Sequence, residues 1–391
     1  MKKTMVQLLV LLCAMGFICK SFADNQKNGD QLLDASVYRA MKKYHVPVVS
    51  LAIIDNGKII YIKAYSTDAK LLVTRDSLFQ SASIGKSVTA YGALHLVGKS
   101  KINLDEDVNN YLTSWKIPDS PFAAQEKVTV RNILDMTSGL SVSGFMGHSV
   151  HDTLPTLKQI LNGESPAENQ AVRLISEPGS KHYYSGGSYE VLEQLIEDVT
   201  DTSFSKFMKD NILIPLDMKN SQYIAVLPKK MWSDAMPGFL KDGEMIPGRW
   251  KIIPALGAGG MWTTPTDLAK FTINVMHSFN GEGGLISEKL AREMLTRQKN
   301  TDFGLGFVID GCGKNLNFRK EGHNIGFYNW LIAFPDTKQG AIIMTNSENG
   351  VPLIKEIIQK ISELYKWPDH YPIVDESEQI PVDSDCKVAV T

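Results

Sequence analysis

Beyond Ala23 the sequence contains no apolar run of the about 20 residues that a membrane-spanning helix requires. It lacks metal-binding spacings as well: no Cys-x-x-Cys or His-Glu-x-x-His occurs, and the 8 histidines are scattered, so no metal is expected. An excess of charge is absent too. The 41 Lys and Arg face 43 Asp and Glu, for a net charge of −2, which excludes a surface that holds nucleic acid by charge. No serine stands in Gly-x-Ser-x-Gly, which excludes the strand–turn–helix nucleophile elbow. No internal repeat points to a solenoid or propeller.

What is present is a chain of 391 residues, 43% of them hydrophobic, enough for one large or two closely packed domains. Its first segment stands apart. Lys2-Lys3 precede an apolar stretch from Val6 to Ile18 broken only by Gln7, and Ser21-Phe22-Ala23 puts small residues at the −3 and −1 positions. This pattern predicts a secretory signal over residues 1–23, cleaved before Asp24, and hence a periplasmic or secreted protein. The stretch is short for a membrane anchor, and Ile18 precedes Cys19 where a lipid-modified cysteine would follow a small residue. Cys13 and Cys19 leave with the signal. An oxidising compartment would permit a Cys312–Cys386 bond, which spacing does not decide.

The rest reads in the order strands, helices, strands. Leu32, Leu33, Val37 and Met41 follow a helical period that Pro47 ends. Val48 to Ile54 and Ile59 to Ala64 are β-rich and flank Asn56-Gly57, a hairpin signal because both residues accept positive φ. A β-like segment ending at Leu78-Phe79 runs into a helix that leaves through Leu94, Leu96 and Val97. From Val128 to Met276 the patterns are helical or loop-like, with a helix expected from Tyr189 to Val199. Phe303 to Ile309, Leu316 to Arg319, Tyr328 to Phe334 and Ala341 to Thr345 return to strand, and Val351 to Leu364 is an amphipathic helix. This order predicts an α+β fold: an antiparallel sheet built from both termini, flanked by helices, with a mainly helical insertion. The expected domain spans 24–367, with an α/β lobe over about 28–95 and 255–367 and a helical lobe over about 96–254. A disordered, proline- and acid-rich tail is expected over 368–391. A cleft between the lobes is the default place for a site.

Three clusters carry chemistry. In Gln80-Ser81-Ala82-Ser83-Ile84-Gly85-Lys86, Ser83 would open a helix, with Lys86 one turn on and on the same face. The positive end of the helix dipole favours an alkoxide there, and the amine can take the hydroxyl proton. Ser203…Lys206 and Ser384…Lys387 share the spacing, so spacing alone does not single out Ser83. The plain alternative is a helix-opening serine beside a solvated lysine. In Gly179-Ser180-Lys181-His182-Tyr183-Tyr184-Ser185-Gly186, a glycine-bounded loop before a helix can set the Tyr184 phenol in a cleft wall. Neighbouring ammonium groups would lower its pKa and make it a proton shuttle. His182 is the rival base, and an aromatic loop packed on a core is the plain alternative. In Phe318-Arg319-Lys320-Glu321-Gly322-His323, a strand carries a lysine and reaches a glycine that allows close backbone approach. Lys27, Lys241 and Lys338 also begin Lys-x-Gly, and a solvated edge-strand lysine is the alternative.

Taken in order, Ser83-x-x-Lys86, the Tyr184 loop and Lys320-x-Gly322 resemble the penicillin-recognising serine hydrolases. The similarity runs from about Leu32 to Tyr365 and includes Val128 to Leu140, Gly257 to Phe271 and Phe334 to Asn346. The branch it is most similar to holds the class C β-lactamases, D,D-carboxypeptidases, D-aminopeptidases and family VIII esterases. The resemblance implies a β-lactamase-like or transpeptidase-like fold, no cofactor, and a small-molecule ester, amide or peptide as partner. Nucleic acid and a membrane span after signal cleavage are not expected. Carried onto this sequence, it makes Ser83 the nucleophile of an acyl-enzyme and Lys86 and Tyr184 the proton carriers, either of them open as the base. Lys320 would keep the local field positive, and the backbone N–H groups of Ser83 and His323 would form an oxyanion hole. Substrate contacts are expected at Gly186, Glu321, Gly322 and His323.

Two of these positions depart from the family pattern. Gly186 stands where Tyr-x-Asn is frequent, and losing a buried partner for a substrate amide costs about 1–3 kcal/mol. Glu321 stands where Thr or Ser is usual. Facing the cleft it would repel a substrate carboxylate, while strand alternation could equally turn it away. The expectation is therefore an esterase or atypical peptidase. The alternatives are a true β-lactamase or D,D-carboxypeptidase, or a non-catalytic penicillin-binding-type protein on the same fold.

Overall fold

A computed structural model describes residues 28–368. The expected signal at 1–23, Cys386, and the expected tail beyond Pro368 lie outside the described residues. Residues 28–44 form α1, which ends at His45 (φ 56°) ahead of Pro47. The hairpin of β1 (Val48–Asp55) and β2 (Lys58–Ser66) follows, with Asp55 opposite Lys58. Asn56 and Gly57 take φ of 49° and 71°, the two left-handed residues that a two-residue hairpin turn requires.

β3 (Phe79–Gln80) leads into α2 (Ile84–Gly98). The insertion carries α3 (Val130–Leu134), α4 (Leu157–Asn162), α5 (Gly186–Thr200) and α6 (Phe204–Met208). The chain returns through β4 (Gln222–Tyr223), α7 (Leu256–Gly259), β5 (Met261–Thr263), α8 (Pro265–Phe279) and α9 (Glu288–Met294). It closes with β6 (Val308–Asp310), β7 (Asn317–Asn324), β8 (Phe327–Phe334), β9 (Gln339–Thr345) and α10 (Gly350–Leu364).

The main sheet has the order β2-β1-β9-β8-β7-β6 with every neighbouring pair antiparallel. β1 pairs with β9, Leu51 opposite Ile343, so the two ends of the chain share one sheet. Helices cover both faces. Leu33, Val37 and Met41 of α1 and Ile354, Ile357 and Ile361 of α10 pack on one. Val88 and Tyr91 of α2 and Leu268, Phe271 and Val275 of α8 lie in the core of the other. Double coverage explains why β9 is buried at every position and shows no in–out alternation in its residue types.

Two segments fold otherwise than their β-content suggests. Of Phe303 to Ile309 only the end is strand, because Gly306 takes φ 100° and Phe303 turns back to bridge Val308. Conversely, β3, β5 and β4 form a second three-stranded sheet, two of its strands inside the stretch expected to be helical or loop-like. Strands of two or three residues carry no readable period. This small sheet holds the turn that starts α2, and β7 runs past the same turn.

Candidate active site

β3 delivers the chain to α2 through a sharp turn. Buried Ala82 takes φ 50°, a left-handed conformation costly for a residue with a Cβ. Ser81 anchors the turn by donating both its N–H (2.9 Å) and its hydroxyl (3.0 Å) to the Met261 carbonyl. Ser83 then caps α2 with helical φ and ψ of −66° and −8°, and its hydroxyl makes no capping bond. Lys86, 3% exposed, donates Nζ to Ser83 Oγ at 3.1 Å and to the Ala258 carbonyl at 2.6 Å. Burial depresses its pKa and nearby Lys320 adds to the effect, while Tyr184 and Glu190 oppose it.

Tyr184 lies between two ammonium groups, with Lys86 Nζ 5.3 Å and Lys320 Nζ 5.1 Å from its ring centroid. Burial by itself would raise the phenol. The Lys320 and Lys86 charges outweigh it, helped by the Ser83 hydroxyl, and bring it down to about 8. Lys320, also 3% exposed, donates Nζ to the Glu321 carbonyl at 2.9 Å. Three distant stretches of chain thus bring Ser83, Lys86, Tyr184 and Lys320 into one cluster, the two amines buried and Ser83 and Tyr184 half-buried.

β7 approaches this cluster closely because of Gly322. β6 pairs only with Asn317–Arg319, so beyond Arg319 the edge of β7 away from β8 borders the start of α2. A Cβ at Gly322 would lie 2.3 Å from the Ser81 carbonyl oxygen and 3.2 Å from the Ile84 nitrogen. Gly322→Ala is therefore expected to push β7 off the Ser83 turn and lower kcat/KM by about 10²-fold, the usual cost of a 1 Å misplacement. Circular dichroism should stay unchanged. Wild-type kinetics in this variant would show that the close approach is not used.

Two expected substrate contacts need correction. Glu321 shares a face of β7 with Arg319 and His323, opposite the face of buried Lys320 and Gly322, and it pairs with Arg319. It therefore sets no negative charge beside the Lys320 amine. Gly186 is buried at the start of α5, its N–H donating to the Ser143 carbonyl at 3.1 Å. A Cβ there would meet Phe145 Cε2 at 3.1 Å and Ser143 O at 3.2 Å, so the 143–145 loop fills the space an asparagine would need. The His323 side chain is exposed, stacked on Tyr328 and bonded through Nε2 to Glu348 at 3.0 Å. Only its backbone remains a candidate for the site. His182, the rival base, puts Nδ1 on Thr301 Oγ1 at 2.9 Å and stacks on Phe303.

Sequence reasoning missed the residues that hold these pieces together. Asn329 Nδ2 donates to the Gln80 carbonyl at 2.9 Å, and Asn324 Nδ2 to Gln80 Oε1 at 2.8 Å, tying β8 and β7 to the turn before Ser83. Gln80 Nε2 continues to the Lys251 carbonyl at 2.7 Å. Glu190 and Glu193 bind the start of α7, beside the Lys86 acceptor. No local pattern marks them: amides and acids on a strand or helix ordinarily read as solvent-facing. Among the described residues one group could hold a metal, His148 with Asp152 and Glu168, whose ligand atoms lie within 4.8 Å of one another. None of the three hydrogen-bonds to the Ser83 cluster, and both carboxylates are exposed.

Residues 33–364 match the protein family described as Beta-lactamase. Protein flp of Staphylococcus aureus (strain MRSA252) is 26% identical over 199 residues, which are 50% of this chain and 38% of that protein. The chain therefore matches well under two thirds of that relative's length. The octameric penicillin-binding protein homologue from Pyrococcus abyssi superposes with a TM-score of 0.71 at 22% identity, over 86% of this chain and 77% of that one. The D-amino acid amidase from Ochrobactrum anthropi SV3 does so with a TM-score of 0.67 at 24% identity, over 85% of this chain and 99% of that one. Likeness at this distance establishes the fold, the β-lactamase-like or transpeptidase-like arrangement.

Proposed function

The chain belongs to the beta-lactamase family, and on that premise we propose that it is a serine hydrolase cleaving a small ester or amide through an acyl-enzyme on Ser83. The observation that carries this reading is the 3.1 Å contact between Ser83 Oγ and the buried Lys86 amine, whose pKa burial depresses. Neutral Lys86 takes the Ser83 proton as Oγ bonds to the substrate carbonyl carbon, and the backbone N–H groups of Ser83 and His323 receive the oxyanion. As the tetrahedral adduct collapses, the C–N or C–O bond breaks and the leaving group takes a proton from Tyr184. Water then attacks the acyl carbon while the Tyr184 phenolate accepts its proton. Ser83 departs with the proton held by Lys86, and both groups return to their starting state.

This cycle fixes a pH dependence. Hydrolysis of the acyl-enzyme needs Tyr184 ionised, so its rate should rise with pH and level off above about 8. In Lys320→Met the midpoint should move to higher pH, because the stronger of the two charges stabilising the phenolate is gone. Single-turnover release of p-nitrobenzoate from the acyl-enzyme across pH measures both. A midpoint that Lys320→Met leaves in place would remove Tyr184 from this step.

The reading as a β-lactamase or D,D-carboxypeptidase is favoured by one observation: Glu321 is paired with Arg319 and does not repel a substrate carboxylate from the cleft. Nitrocefin, assayed beside p-nitrophenyl esters and D-amino acid amides, separates the two. Intact-protein mass after a fluorophosphonate or a penicillin tests both at once. An adduct on Ser83 supports a hydrolase; no adduct with either probe favours a binding protein on the same fold. We also propose export, on the pattern of residues 1–23; a mature protein that does not begin at Asp24 would count against it.

A further inference from the structure

α5 is buried along Gly186–Ile196, and two of its residues there are carboxylic acids. Glu190 is 0% and Glu193 4% exposed. One turn apart, they address the first peptides of α7: Glu193 Oε2 accepts from the Gly257 N–H at 2.6 Å, and Glu190 Oε1 from the Ala258 N–H at 3.0 Å. Ala258 is also the residue whose carbonyl holds Lys86 Nζ. A single residue of α7 therefore joins Glu190 to the amine that meets Ser83. The other oxygen of Glu190 is buried without a hydrogen bond. Water or a neutral side chain would satisfy a helix start, and burying a half-paired carboxyl is costly, so its presence calls for a role beyond capping.

We propose that Glu190 is a positioning residue for Lys86: it clamps the Ala258 residue that holds the amine on Ser83, and its negative charge is the counterion of the Lys86 ammonium. The catalytic consequence rests on the Ser83 reading above; the link to Lys86 does not. Burial raises Glu190 and depresses Lys86, and the charge on each favours the charged form of the other. The titratable groups facing this pair are Tyr184 just before α5, Glu193 and Tyr189 on α5, and Lys320 on β7. Tyr223 on β4 acts on Glu193 and Tyr189, and Asp135 after α3 on Tyr189. α7 contributes none. Lys86 is the cation that bears on Glu190.

The test follows Lys86 itself. The full chain, labelled with 13C-lysine and with the Lys86 signal assigned by its loss in Lys86→Met, is titrated by NMR as wild type and as Glu190→Gln. The pH profile of Ser83 labelling by a fluorophosphonate is measured alongside. Glu190→Gln keeps an acceptor for the Ala258 N–H and removes the charge. Lys86 is expected to titrate at lower pH than in the wild type, and the acid limb of Ser83 labelling to move down with it. The alkaline plateau should stay within about threefold. A Lys86 midpoint at or above the wild-type value overturns the proposal; a merely structural role would change melting temperature without moving that midpoint. Glu190→Asp separates the two functions if the glutamine variant does not fold. Its shorter carboxylate retains the charge and loses reach, so labelling should slow about tenfold with Lys86 still titrating as in the wild type. Labelling at the wild-type rate overturns the clamp. If the wild type itself takes no label on Ser83, the hydrolase reading fails, and the Lys86 titration still decides the Glu190 assignment.

Discussion

Ser83→Ala is expected to abolish the covalent adduct and to lower kcat/KM by on the order of 10⁴-fold or more, the scale seen when an acyl-enzyme nucleophile is removed. Neither neighbouring serine can stand in. Ser81 is turned to the Met261 carbonyl and Ser185 to the Ser141 carbonyl, both at 3.0 Å. Loss of folding should not confuse the result. The Ser83 hydroxyl caps nothing, and Lys86 keeps its bond to the Ala258 carbonyl, so stability should change by less than about 0.5 kcal/mol. Parallel thermal melts and intact-mass labelling measure both halves. An adduct that persists in Ser83→Ala would place the reactive group elsewhere and end the proposal.

The second large effect is a split between activity and stability at Lys86. Lys86→Met removes the amine while keeping a chain of similar length, and should slow acylation by about 10²–10⁴-fold, the range for a positioned general base. The melting temperature should hold or rise. The ammonium is buried at a desolvation cost, and replacing a buried charge with an apolar side chain of similar volume is often neutral or stabilising. With the ammonium gone, no positive charge offsets the burial that pushes the Glu190 carboxyl toward its neutral form, so it need not remain charged. Stopped-flow labelling with a fluorophosphonate and a thermal melt of the same sample give the two readings. If labelling keeps its wild-type rate, Tyr184 alone is the acylation base.

The elements legible in the sequence are those whose cause is local. Asn56-Gly57 closes its hairpin because the conformation is a property of those two residues. The amphipathic Val351 to Leu364 segment follows from its period and forms α10. The small sheet of β3, β5 and β4 left no period to read, and the α5 acids looked like the polar side of a helix. In the fold α5 has no polar side over its first three turns, since α2, α3, α4, α6 and α7 surround it. The preference against carboxylate substrates also fell on a matter of direction. Glu321 is a departure from the family pattern in residue type, yet its charge is spent on Arg319.

From the residues alone came most strands of the main sheet, the sharing of that sheet by the two chain ends, and the three short stretches that hold the candidate serine, amines and phenol. Those follow from turn chemistry and residue period, which act over a few positions. Only the tertiary structure decided which way each side chain of β7 points, what fills the space beside Gly186, and that two acids stand behind Lys86. Each depends on what another part of the chain places within a few ångströms. A contact set by packing across more than a hundred residues, such as Lys86 with Ala258, leaves no mark in the local pattern.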